Sequence, residues 1–115
     1  MEFDEYQRLS RKTVRYPRLG PHDGPYVGWI YPALGLAGEA GEVEERVKKM
    51  IRDSDLQVTS DLKDKIRKEL GDVLWYVSQL ATELGMSLDD IATCNLGKLD
   101  SRTARGVIGG EGDDR

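Results

Sequence analysis

Hydrophobic positions recur at helical spacing through most of this chain. In "LGLAGEAGEVEERVKKM", Leu36, Ala40, Val43, Val47 and Met50 follow one another at steps of three and four. That is the buried stripe of an amphipathic helix, predicted from about Pro32 to Arg52. Pro32 suits the first turn, where its missing N–H has no helical partner to lose. A second stripe, Leu62, Ile66, Leu70, Val73, Val77, Leu80 and Leu84, predicts a helix that Thr59, Ser60 or Asp61 caps and Gly85 ends. Between them, residues 53–60, "DSDLQVTS", form the connection. Ser87 with Asp90 resembles a capping box and starts a further helix through about Thr103. Residues 2–13 can form a short helix with Phe3, Tyr6 and Leu9 or Ser10 on one side. No alternating strand pattern and no internal repeat occur, so the fold class is all-α.

Two segments fall outside this periodicity. "YPRLGPHDGPYVGWIYP", residues 16–32, has proline and glycine at a density that stops helices and strands, so it reads as an ordered loop or lid. Its Tyr16, Tyr26, Trp29 and Tyr31 argue against a plain linker, which would be polar. His22, within it, reads as a surface residue rather than a catalyst. The tail "GVIGGEGDDR" is glycine-rich and acidic and is assigned no regular structure.

Composition narrows the class. The chain of 115 residues has the size of one domain, 38% hydrophobic and 33% charged, enough apolar material for one modest core. A net charge of -4 opposes broad binding to nucleic acid, which needs a basic footprint. One cysteine, Cys94, permits no intrachain disulfide, and with a single histidine the Cys/His zinc sites are absent. No stretch approaches about 18 uninterrupted apolar residues, and the charged N-terminus does not fit a signal peptide. The expectation is a soluble, cytoplasmic protein without a membrane association.

The apolar stripes also hold acids in a repeated arrangement. On a wheel of about 100° per residue, Glu39 lies roughly 60° and Glu42 roughly 120° from the centre of their stripe. Glu69 and Asp72 fall at about the same angles on theirs. A short connection folds the two helices into an antiparallel hairpin. Glu39 with Asp72 and Glu42 with Glu69 share one index sum, 111, which puts the turn near residue 55 or 56, inside the connection. Four carboxylates then meet at one height, where mutual repulsion raises their pKa values unless a cation intervenes. An all-oxygen ligand set selects Mg²⁺, Mn²⁺ or Ca²⁺ over zinc. The competing account is a solvated acidic face paired to Arg46, Lys49, Lys65 and Lys68.

"GLAGEAGEVEERVKK", "KELGDVLWYV" and "NLGKLDSRTARG" resemble the MazG-type all-α nucleoside triphosphate pyrophosphohydrolases over roughly residues 33–106. The resemblance divides the chain into an N-terminal helix and loop (1–32), a helical core (33–104) and a tail (105–115) of one domain. It implies Mg²⁺, with Mn²⁺ as a substitute, on Glu39, Glu42, Glu69 and Asp72. It implies hydrolysis of a (d)NTP between the α and β phosphates to (d)NMP and pyrophosphate, with Glu39 or Glu42 orienting the water. Many members open the first motif with a doubled glutamate; here Gly38 stands in the earlier place.

A triphosphate also needs cations. Asn95, Lys98 and Arg102, at i, i+3 and i+7, share one helical face, and the family's use of this helix points to Lys98 and Arg102 on phosphates. Lys49, two turns beyond Glu42, is a weaker candidate. Tyr76, one turn after Asp72, matches an aromatic position near the base in dCTP-preferring relatives, and Trp29 and Tyr16 could close the pocket. Trp75 reads as core or subunit contact. So few helices leave their stripes partly exposed, and the resemblance implies a homodimer or homotetramer with a four-helix core. The alternative of another class is a non-catalytic helical module that binds a partner. A calcium loop in "DSDLQVTSDLKD" is disfavoured, because Val58 stands where such a loop needs glycine.

Overall fold

A computed structural model describes residues 1–17, 19–20 and 26–115 of the chain. Its regular elements are all helical: α1 (Phe3–Ser10), a 3₁₀ turn (Arg11–Thr13), α2 (Ile30–Asp53), α3 (Ser60–Glu83) and α4 (Leu88–Ala104). The reading of His22 falls outside the described residues. Two expected boundaries shift. The first helix tightens into the 3₁₀ turn instead of running on to residue 13. Helix α2 starts at Ile30, which places Pro32 third in the helix, still among the positions whose N–H lacks an intrahelical acceptor.

The hairpin of α2 and α3 is the main body of the fold. Residues 54–59 connect them, with Asp55 and Leu56 both at positive φ to complete the reversal. The Thr59 hydroxyl accepts from the Leu62 N–H at 3.1 Å and caps α3. At the far end, Gly85 adopts a φ of 72°. Its N–H donates to the Thr82 carbonyl while the Met86 N–H donates to Ala81, the paired bonds of a Schellman ending. The Ser87 hydroxyl then accepts from Asp90 N–H and starts α4.

Helix α1 docks on α3 by the predicted side, Tyr6 and Leu9 half-buried and Ser10 buried, and polar groups make its specific bonds. Phe3 is exposed, whereas Ser10, Ser78 and Gln79 are buried. Ser10 Oγ meets Ser78 Oγ at 2.9 Å and accepts from Gln79 Nε2 at 3.0 Å, so the buried groups satisfy one another. Gln7 holds the start of α4: its Oε1 accepts from the Leu88 N–H and its Nε2 donates to the Met86 carbonyl. Asp4 adds a second cap by accepting from the Asp89 N–H and the Ser87 hydroxyl.

Helix α4 therefore packs on α1 and stands off the hairpin. The radius of gyration is 17.6 Å, against about 13 Å for a compact chain of this length. Among apolar side chains little is fully enclosed beyond Pro32, Ala81 and Leu88. Leu70, Leu84, Leu96 and Leu99 remain exposed, although the first two belong to the predicted stripe of α3.

Candidate metal and nucleotide site

Three of the four predicted acids come together. Glu39 of α2 and Glu69 and Asp72 of α3 each offer a carboxylate oxygen, and these oxygens lie within 4.8 Å of one another. Glu39 and Glu69 are half-buried and Asp72 is exposed, as expected for acids at the border of a stripe. Burial pushes the Glu39 carboxyl above its ordinary range, and the charges of Asp72, Glu69 and Glu42 push it further the same way. Glu42, an exposed residue, lies outside that group of three but close enough for its charge to act on Glu39.

Arg46 partly compensates this charge. Its Nε and Nη2 both donate to Oε1 of Glu69, at 3.0 and 2.8 Å. Both bonds fall on one oxygen, which leaves Glu69 Oε2 outside the grip of Arg46. Three clustered hard oxygen donors and one guanidinium leave a net negative site, which fits a divalent cation of the magnesium type. Lys49 is directed elsewhere: its Nζ pairs with Glu45 at 3.2 Å, one turn back along α2.

An aromatic cavity adjoins the acids. Thr13, Arg15, Tyr16, Pro17, Tyr31, Trp75 and Tyr76 line about 290 Å³. Tyr16 stacks on Tyr31 with ring centroids 5.3 Å apart and meets Trp75 edge-on at 6.2 Å. Trp75 meets Tyr76 edge-on at 5.0 Å, and its indole N–H donates to the Thr13 hydroxyl. Burial raises the Tyr76 phenol, as do Tyr31, Glu39 and Asp72, so Tyr76 links the cavity to the carboxylates. Trp29 is the N-cap residue of α2 and is exposed, without a ring partner among the described residues.

Glu83, a residue not singled out in the sequence, anchors Tyr16 of this cavity. Its side chain is 2% exposed and accepts from Arg11 Nη1 at 2.6 Å and from the hydroxyls of Tyr16 and Tyr26. Burial alone would raise its carboxyl, but the bonds from Tyr16, Tyr26 and Arg11 outweigh it and hold the group below the ordinary range. The Tyr16 phenol, buried and bonded to that carboxylate, is pushed up to about 12. Only the isolated acid at the end of an apolar stripe, with no basic residue three or four places away, could have drawn notice to Glu83.

The expected phosphate donors lie on α4, which packs chiefly on α1 rather than on the hairpin that carries the acids. Asn95 and Lys98 border a groove with Met86, Ile91 and Cys94. Arg102 is buried, with its Nε lacking a partner. The tail, without helix or strand as expected, turns back over this row at Gly106, Gly110 and Gly112, all at positive φ.

No helix of the described residues is long and apolar enough to cross a membrane. No solved structure matches the chain. The Gene 37 protein of Mycobacterium phage L5 is 46% identical over 115 residues, covering the whole of both chains, and its name states no activity. The family model for the MazG nucleotide pyrophosphohydrolase domain matches residues 32–106, a span that holds the three clustered carboxylates, Tyr76 and the cation row of α4. With that span and the all-helical fold, the chain belongs to the MazG nucleotide pyrophosphohydrolase domain family.

Proposed function

We propose that the protein hydrolyses a (deoxy)nucleoside triphosphate to the monophosphate and pyrophosphate, in a role of nucleotide-pool cleansing. The observation that carries this reading is the convergence of Glu39, Glu69 and Asp72 beside an aromatic cavity. Glu39, Glu69 and Asp72 would hold Mg²⁺ or Mn²⁺, with Glu42 completing the set. The ion, when bound, neutralises charge that develops on phosphate oxygens and acidifies an attacking water.

The chain's own residues do the rest. Arg46 takes one oxygen of Glu69 and fixes the direction of the other. Glu39 or Glu42 would orient the attacking water; Glu42 is exposed and lies outside the cluster of three. Tyr76 stacks on the base, with Tyr16, Tyr31 and Trp75 closing the cavity around it. Lys98 and Arg102 bind the phosphates, with Asn95 beside them.

Since α4 stands off the hairpin, this reading makes the site composite. Copies associate through the exposed apolar side chains of α3 and α4, as a homodimer or homotetramer, and the cations of one copy serve the acids of another. The test is product analysis on the canonical NTPs and dNTPs, with Mg²⁺ and with EDTA, for wild type and Glu69→Gln. Monophosphate and pyrophosphate, lost with EDTA and in the variant, are expected. Diphosphate and phosphate, or no turnover at all, would remove the reading.

A further inference from the structure

The cation row of α4 is already engaged by the chain itself. Lys98 Nζ pairs with Asp113 Oδ1 at 3.2 Å, and Arg102 Nη2 reaches the same oxygen at 3.3 Å. Arg102 Nη2 also donates to the main-chain carbonyls of Asp113 at 2.5 Å and Gly112 at 3.3 Å. Beyond them, Arg105 Nη2 donates to the main-chain oxygen of Arg115, and Arg115 Nε returns to the Gly109 carbonyl. The tail is thus a closed strap, bonded at both ends and laid along the helix.

We propose that this strap is an intramolecular competitor: Asp113 occupies the donors of Lys98 and Arg102 that a polyphosphate takes, and ligand binding lifts it. A carboxylate and a phosphate present the same chemistry to a guanidinium and an ammonium, namely anionic oxygens that accept charged hydrogen bonds. Arg102 is 4% exposed and its Nε has no acceptor, so the strap satisfies the buried guanidinium only in part. A phosphate has one acceptor oxygen more than a carboxylate, and the unpaired Nε is a donor waiting for it. Asp113 itself is 83% exposed at its side chain, which keeps its grip weak enough to yield. The glycines at 106, 110 and 112, all at positive φ, allow the strap both its folded-back path and another.

The proposal rests on Lys98 and Arg102 being the anion donors of the proposed hydrolase, so the experiment separates the two. Inorganic tripolyphosphate is titrated calorimetrically into the full chain as wild type, Asp113→Asn and Asp114→Asn, with melting temperatures to confirm folding. Removing the competitor is expected to tighten binding about three- to tenfold in Asp113→Asn. Asp114→Asn, which loses the same charge without a recorded contact to the row, is expected to bind as wild type does. In turnover, Asp113→Asn should lower KM by the same factor and leave kcat unchanged. Equal affinity in all three, weaker binding in Asp113→Asn, equal tightening in both variants, or no binding to any of them would overturn the strap. Tighter binding in Asp113→Asn from a protein that turns over no nucleotide would uphold the strap and remove the hydrolase reading.

Discussion

The ring of Tyr76 fills the space that a side chain at Gly35 would need. A Cβ built on Gly35 would lie 2.2 Å from Tyr76 Cε1, well inside contact distance. Gly38 and Gly41, one and two turns on, have nothing within 4 Å, so only the first of these three glycines serves a close approach within the chain. The glycine lets an aromatic ring lie against the backbone of α2, between the acids and the cavity.

Gly35→Ala should therefore move Tyr76 while leaving the helix intact. Overpacking costs about 1–3 kcal/mol, offset by roughly 1 kcal/mol of helix propensity, so the melting temperature should fall by no more than about 10 °C. Base stacking on an aromatic ring is worth about 1–3 kcal/mol, and KM should rise roughly tenfold. Steady-state kinetics beside a thermal melt check this, and an unchanged KM would free Tyr76 from any role at the base.

Replacing Glu69 or Asp72 by its amide removes a proposed ligand without removing bulk. Turnover should fall at least about a hundredfold. The apo protein should melt close to wild type, since the Arg46–Glu69 pair is partly solvated and loss of the Asp72 charge relieves Glu39. Wild type should gain melting temperature with Mg²⁺ and the variants should not. A Mg²⁺-dependent gain of the same size in Asp72→Asn would show that the ion binds elsewhere.

Much of this arrangement was legible in the sequence. The wheel positions of Glu39, Glu69 and Asp72 follow from spacing along two helices, and the hairpin turn follows from composition, because both are local properties. Thr59, Gly85 and Ser87 end or start helices by bonds spanning only a few residues. The docking of α1 was not legible. Gln7, Ser10 and Arg11 find partners some seventy or more positions away in the chain, and no periodicity relates residues so separated. The named side of α1, with Tyr6, Leu9 and Ser10, does face inward, but the hydroxyl and amide partners it meets there were not readable.

Glu83→Gln tests the anchor of Tyr16. Loss of the charge weakens the bonds from Arg11, Tyr16 and Tyr26, at a cost of about 2 kcal/mol. Glu83 has a depressed folded-state pKa, so its contribution is present above about 4.5 and is lost as pH falls through the folded value. Tyr16, raised to about 12, contributes below its ordinary 10.0 and loses that as pH climbs between the two. Denaturation from pH 2 to 12 should show both limbs in wild type and a flatter acid limb in Glu83→Gln.

A composite site makes a prediction about mixtures. Glu69→Gln and Lys98→Ala should each be nearly inactive alone. Refolded together as a dimer, half of the molecules pair one of each, and one of their two sites is intact. Turnover should return to roughly a quarter of wild type. No recovery would place acids and cations of the working site on one chain.

The bonds at Glu83 reach Tyr16 on one side of residues 17–25 and Tyr26 on the other. One buried carboxylate thus clasps both ends of that segment, like a ring closed at its base. Tyr31, the start of α2 and the acids beyond are then insulated from changes of length or sequence within the ring. Doubling the length of such a loop costs only about 0.6 kcal/mol. Changes between Tyr16 and Tyr26 are therefore expected to leave Tyr31 and the clustered acids of α2 and α3 in place.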